Sequence, residues 1–275
     1  PQTRFVTKKA LALGLKRDEA ARFSFLLGLP AIALAGFKEL WELHEVQLSA
    51  DGMVIVHHDF RLNPALTRKD GAWLRGEAPR IKDLTLAELQ AFDLGRADPQ
   101  SDYARKHPLM ALADGVRIPT LAEVCALPSP KLFTLLVELK SSTDPASADP
   151  IALADAALAV MQEHLDRTIF VGFDWRGLAR IKSRSPHARC WFTTDKLPGE
   201  AEPVLDIIKS AGGDGWFPSY EDATDANVTG ARARGLQVAA WTVNQPADMK
   251  RLLDLKLDAI CTDRPDLLQA LEQRG

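Results

Sequence analysis

The sequence predicts an α/β fold, a TIM-type (β/α)8 barrel, and three observations predict it. From about residue 44 onward, short β-branched or apolar runs alternate with helix-period segments. That rhythm means parallel strands joined by right-handed crossovers. Polar residues stand directly after the strand runs: His57, His58 and Asp59, then Glu138 and Lys140, then Asp174 and Trp175, then Trp241 and Asn244, then Asp263. The C-terminal ends of barrel strands are where such folds place an active site. The length, 275 residues, suits one barrel of about 250 residues.

The first run along the chain is the least regular. FSFLLGLPAIALAGF, residues 23–37, carries no charge between Arg22 and Lys38. A membrane-spanning helix needs about 20 apolar residues, so the run is short by itself. Three readings stay open: a membrane segment or its remnant, a helix of the core, or a signal peptide. For the last, Lys8, Lys9, Lys16 and Arg17 precede the run and Ala33-Leu34-Ala35 would set cleavage before Gly36, but Asp18 and Glu19 interrupt the basic region.

Next, VQLSADGMVIVH (46–57) reads as two strands joined at Asp51-Gly52, a strong hairpin signal. Leu84 to Phe92 is a helix with Thr85 as N-cap and Glu88 three residues later, a capping box. Leu132 to Leu139 is a buried strand, followed by a polar loop from Ser141 and a helix from Pro150 to about Leu165. Strands near 168–173, 188–193, 215–218, 237–243 and 259–262 then alternate with helices near 176–183, 203–211, 225–234, 247–255 and from Pro265. From Val46 onward this makes about seven strands, where a closed barrel needs eight. One βα unit is therefore missing or replaced by an apolar helix, and the chain divides into an apolar helical segment, 1–43, and a barrel domain, 44–275.

Composition narrows the function. The chain is 46% apolar and 26% charged, with a formal charge of -3 and a pI near 6.1. That balance excludes a protein that tracks nucleic acid or anionic membrane by bulk electrostatics, so any phosphate site is local. Cys125, Cys190 and Cys261 are far apart and form no CxxC pair. They indicate buried apolar positions rather than a disulfide framework or a thiolate zinc site.

Strand alternation puts Glu138 and Lys140 on one face, and Glu45 and Gln47 on one face of theirs. Carboxylates, a lysine and a histidine thus converge on one rim. The chemistry this suggests is a hard cation held by carboxylates, with lysine stabilising an anionic oxygen and histidine moving a proton. Phosphate ester hydrolysis uses that set. Each residue also has a plain structural reading: a His-His-Asp turn, a same-face Glu-Lys ion pair worth roughly 0.2–1 kcal/mol, a core tryptophan, an aspartate capping the last helix.

The joint order of the motifs is more specific. VQLSADGMVIVHHDFRLNP from Val46, RIPTLAEV (117–124), VELK (137–140), GFDWRGLARIKSRSP (172–186), AAWTVN (239–244) and DAICTDRPDLL (258–268) resemble the successive motifs of glycerophosphodiester phosphodiesterases, which are TIM barrels. The resemblance implies a divalent metal, calcium or magnesium, bound by a Glu-x-Asp pair and by the glutamate of Glu-x-Lys, with two histidines as acid and base. Carried onto this chain it implies Glu45 and Glu138 as metal ligands, His58 as a catalytic histidine, Lys140 as a phosphate contact and Trp241 in the substrate pocket.

Two departures stand out. No His-Arg-Gly occurs upstream, so the first histidine of the pair is absent, and Leu43-His44-Glu45 stands where Glu-x-Asp belongs. In place of the first unit, RDEAARFSFLLGLPAIALAGFKEL (17–40), with LALGLK before it, resembles a late transmembrane segment of undecaprenyl-diphosphate phosphatases over residues 11–43. The expectation is a metal-dependent phosphodiesterase that cleaves a small-molecule glycerophosphodiester to glycerol 3-phosphate and an alcohol, much weakened. The alternative is an inactive or incomplete barrel fused to a membrane-segment fragment. No nucleic acid partner is expected. Membrane contact through residues 23–37 goes with a cytoplasmic or membrane-associated location, a periplasmic one being the other reading.

Overall fold

A computed structural model of the chain describes residues 31–33, 40–106, 108, 113–126 and 133–272. In chain order its strands are β1 (Ala31–Ala33), β2 (Leu40–Leu48), β3 (Val54–Val56), β4 (Arg68–Lys69), β5 (Ala72–Trp73), β6 (Phe133–Leu139), β7 (Thr168–Gly172), β8 (Arg189–Thr194), β9 (Gly215–Pro218), β10 (Gln237–Ala240) and β11 (Ala259–Thr262). Helices follow β6 to β11 at Pro150–Met161, Trp175–Arg184, Glu202–Ser210, Asp225–Ala233, Pro246–Asp254 and Pro265–Glu272.

β2, β6, β7, β8, β9, β10 and β11 pair in that order and all parallel, the seven strands counted from the sequence. The eighth place belongs to β1. It pairs antiparallel with β11, Ala31 opposite Thr262, and antiparallel with β2, Ala31 opposite Glu42, so the sheet returns on itself. Of the apolar run 23–37 only these three residues are described, and they form a strand where a helix was expected; the rest of the run lies outside the described residues. The physical reason is hydrogen bonding. An open barrel leaves a row of unpaired backbone groups on two edges, and a strand satisfies both rows where a helix satisfies neither. Residues 31–33 and 40–43, on the N-terminal side of the expected boundary at 43/44, are thus part of the barrel sheet. No helix among the described residues is long and apolar enough to cross a membrane.

Period-two alternation sorts the strands' side chains into two layers. Leu43, Leu136, Ile169, Val171, Trp191, Phe217 and Cys261 fill the barrel's interior. Their neighbours Val46, Leu135, Val137, Phe170, Phe192 and Ile260 face outward and are covered by helix residues such as Leu153, Leu178, Leu205 and Leu252. Gly215 is required at its place, because a Cβ there would come within 2.3 Å of the Trp191 indole. Cys190 and Cys261 are buried as expected, and Cys125 is half-buried; all three are free thiols.

The hairpin signal holds: β2 and β3 pair with Val46 opposite Val56 and Leu48 opposite Val54, and Gly52 takes φ 77° in the turn. The capping box holds as well, with Thr85 and Glu88 exchanging bonds ahead of a helix at Leu86–Gln90. Between β3 and β6 lies an insertion with its own small core of Ile55, Leu62, Ile81, Leu89 and Ile118. It contains the β4–β5 hairpin, turned at Asp70 and Gly71 with φ of 51° and 79°.

Candidate active site

The register of β2 on β6 places Glu45 directly opposite Glu138. Both side chains project to the barrel's interior side, in line with Leu43 and Leu136 one turn of the pleat below. Two carboxylates therefore stand side by side at the C-terminal rim, their side chains 4% and 9% exposed. Lys140, two residues past Glu138 on the same face, brings its Nζ to 3.2 Å from Glu138 Oε1 and 3.8 Å from Glu45 Oε1. The other oxygen of Glu45, Oε2, is buried and meets no hydrogen-bond donor.

The turn after β3 completes the group. Gln47, buried and on the same face of β2 as Glu45, donates its side-chain N–H to the carbonyls of His57 and Asp59, each at 2.8 Å. The His57 backbone N–H donates to the Glu45 carbonyl at 2.9 Å. These bonds hold the His-His-Asp turn against β2 and set His58 Nε2 3.6 Å from Glu45 Oε1. His58 Nδ1–H donates to Asp59 Oδ1 at 2.6 Å.

The two adjacent histidines have different environments. His57 donates Nδ1–H to the Asp59 carbonyl at 2.9 Å, and burial holds its pKa below the ordinary value. In His58 the bond to the Asp59 carboxylate, aided by the charge of Glu45, outweighs burial and raises the pKa, while the same bond holds Asp59 below the usual carboxylate range. Glu45 is pushed up to about 7, first by burial and then by the Glu138 charge, against the opposing pull of His58 and Lys140. Burial lowers the affinity of Lys140 for its proton, but Glu138 and Glu45 more than compensate and raise its pKa.

Of the residues singled out from the sequence, Glu45, Glu138, Lys140 and His58 come together. Trp241 directly follows β10, which pairs with β9 and β11, and packs against the interior cluster that contains Leu43 and Leu136. Its Nε1–H donates to the Phe217 carbonyl at 3.1 Å, and its ring meets Phe173 edge to face, centroids 5.1 Å apart. Phe173, 38% exposed at the end of the fully buried β7, was missed; a large aromatic directly after an all-apolar strand was the available signal. Asp174 caps the helix at Trp175–Arg184 and binds Arg176, and Asn244 ties the ends of β10 and β11 through Asp263 at 2.8 Å. Both play structural parts.

The residues fit a hard divalent cation. A buried carboxylate oxygen without a partner, beside a second carboxylate, is the donor chemistry a hard cation completes. Leu43, the same-face residue before Glu45, packs in the apolar interior and offers no third oxygen. Among the described residues no three His, Cys, Asp or Glu side chains gather as a ready cage. Calcium takes about 6–8 oxygens, whereas magnesium is held by one or two carboxylates with water and substrate phosphate filling the rest. Two carboxylates leave places around either cation for water and phosphate oxygens.

Comparison with known proteins gives a consistent picture. The model of the glycerophosphoryl diester phosphodiesterase family matches residues 45–267. The glycerophosphodiester phosphodiesterase of Caldanaerobacter subterraneus subsp. tengcongensis is 28% identical over 255 residues, covering 90% of this chain and 94% of that protein. A crystal structure from Silicibacter pomeroyi DSS-3, described under the same family, superposes with a TM-score of 0.78 at 30% identity, covering 93% of this chain and 87% of that one. An Oleispira antarctica phosphodiesterase, solved with the product sn-glycerol-3-phosphate, shares the fold with a TM-score of 0.67 at 24% identity, over 87% of this chain and 86% of that one. A short N-terminal segment is similar to a different protein. It is 74% identical over 47 residues to undecaprenyl-diphosphatase 2 of Mesorhizobium japonicum, of which the chain spans 18% of the length.

Proposed function

Because the chain belongs to the glycerophosphoryl diester phosphodiesterase family, we propose that it hydrolyses a glycerophosphodiester to glycerol 3-phosphate and an alcohol. The observation that carries this reading is the pairing of Glu45 with Glu138 across two strands, with Lys140 and His58 in contact with them. Water attacks phosphorus, the bond from phosphorus to the alcohol oxygen breaks, and the proton the water gives up passes to solvent, from which His58 is reprotonated after the step. His58, whose pKa the bond to Asp59 raises, delivers a proton to the departing alkoxide. Lys140 places positive charge where the phosphoryl oxygens gain negative charge. A divalent cation on Glu45 and Glu138 would supply further polarisation of a phosphoryl oxygen. Phe173 and Trp241 form an apolar wall at the mouth for the organic part of the substrate.

The test is hydrolysis of glycerophosphocholine with magnesium, calcium or chelator, comparing the native chain with Glu138→Ala. Turnover that needs a cation and disappears in the variant is the expected result; equal turnover in both would sink the assignment. One observation favours a second reading, a barrel without turnover: Leu43 removes a carboxylate from the rim. A folded sample that binds glycerol 3-phosphate without hydrolysing the diester is what that reading requires.

A further inference from the structure

Two partly buried lysines are held in different ways. Lys182 is saturated: its Nζ donates to the Pro186 carbonyl, the Ala188 carbonyl and Asp214 Oδ2, each at 3.0 Å. Lys140, with a side chain 16% exposed, sits between the two rim carboxylates at 3.2 and 3.8 Å. It has one close carboxylate partner and one more distant one where Lys182 donates three bonds, so the ammonium is less fully bound, on a four-carbon stem that can swing. It also stands where a divalent cation would bind, between the two carboxylates, while the other oxygen of Glu45, Oε2, is buried and meets no donor.

We propose that Lys140 couples cation binding to phosphate binding. Without phosphate, the ammonium neutralises Glu45 and Glu138 and repels an incoming divalent cation. An anionic phosphate ester draws the ammonium off the carboxylates toward its own oxygens, the cation takes the carboxylates, and each ligand then holds the other. The cation thus enters with its substrate instead of residing in the free protein. The inference rests on the reading that Glu45 and Glu138 are the cation's ligands, and it deepens that reading by making Lys140 the residue that sets the order of binding.

The experiment is calorimetric titration of magnesium into the protein, with and without saturating glycerol 3-phosphate, corrected for magnesium binding to the phosphate alone. Reciprocal tightening of each ligand by the other, by a factor between about 5 and 150, is expected of coupled sites. Lys140→Met is expected to bind magnesium more tightly than the native chain when phosphate is absent, and to lose most of the tightening when it is present. Magnesium binding that is weakened or unchanged in Lys140→Met, or a native affinity indifferent to glycerol 3-phosphate, would overturn the proposal. If Lys140→Met fails to fold by circular dichroism, Lys140→Gln takes its place, and the native titration decides the coupling by itself. Hydrolysis of glycerophosphocholine is measured alongside. Turnover without coupling refutes only this inference, whereas coupling without turnover refutes only the assigned reaction.

Discussion

The molecule carries two clusters of mixed charge, and their carboxylates move in opposite directions. In the insertion, Arg68 donates to Asp93 Oδ2 at 3.1 and 2.6 Å and also binds Asp114, while Arg96 grips Asp114 with two bonds at 2.6 and 2.8 Å. Backbone N–H groups of Gly95, Gly115 and Val116 donate to Asp93 as well. Burial pushes Asp93 up, but these donors outweigh it, and the guanidinium bonds of Arg96 and Arg68 draw Asp114 down, so both carboxyls lie below the usual range. At the rim, Glu45 has one oxygen without a donor and rises to about 7. The ingredients are similar; the number of donors is not. A cluster whose acids are fully bonded holds the fold together, and a cluster left short of positive charge is one that a ligand completes.

The comparison breaks most visibly at His58. His58→Ala should lower kcat by about 10²–10⁴-fold and leave the unfolding midpoint in urea unchanged, since the side chain is 58% exposed. Steady-state kinetics beside a denaturation curve would settle it; a loss of stability matching the loss of rate would make His58 a structural residue. The converse variant is Arg68→Ala. It removes the bonds to Asp93 and Asp114 and should cost about 1–3 kcal/mol, read as an earlier urea midpoint, with the rim chemistry intact.

Acid sharpens the contrast. The acids of the insertion have folded pKa values below their unfolded ones, so their contribution is present above about pH 4 and is lost as pH falls through the folded values. Glu45 has the opposite sign: its folded pKa lies above the unfolded one, so ionising it opposes folding, and that opposition fades as pH falls from about 7 toward 4.5. In chelator, thermal unfolding should therefore show a rise in Tm between pH 8 and 5 and a fall below pH 4. Glu45→Gln should be more stable than the native chain at pH 8 and should shrink the rise to the part that the raised pKa of His58 contributes. A native chain whose Tm declines steadily from pH 8 would show that Glu45 ionises without penalty. The smallest effect belongs to the aromatic wall: Phe173→Ala removes the edge-to-face contact with Trp241, worth about 0.5–1.5 kcal/mol. It should raise KM for glycerophosphocholine several-fold with kcat nearly unchanged.

Much of this was legible in the chain. The strand–helix rhythm, the seven parallel strands, the Asp51-Gly52 hairpin and the Thr85/Glu88 capping box follow from residues close together in sequence. Within single strands, parity correctly put Glu138 with Lys140 and Glu45 with Gln47 on shared faces. Gln47 was visible in that parity but not its task, because its acceptors lie ten and twelve residues away on the next turn. Little local marks Ala31–Ala33 as a strand: one isoleucine between two alanines in an uncharged run also suits a helix, and the unpaired edges of β2 and β11 decide the matter.

By itself, then, the amino-acid order determined the fold class, the family and the identity of the rim residues, since hydrophobic period and motif order are properties of one chain read in line. Tertiary structure alone decided that Glu45 faces Glu138, that Lys140 lies between them, and that the pKa of His58 is raised while that of His57 is lowered. The cause is physical. Parity states which face a side chain takes, but only the hydrogen-bonded register of neighbouring strands, and the burial that comes with closing the barrel, states which charges meet there and how much water they have lost.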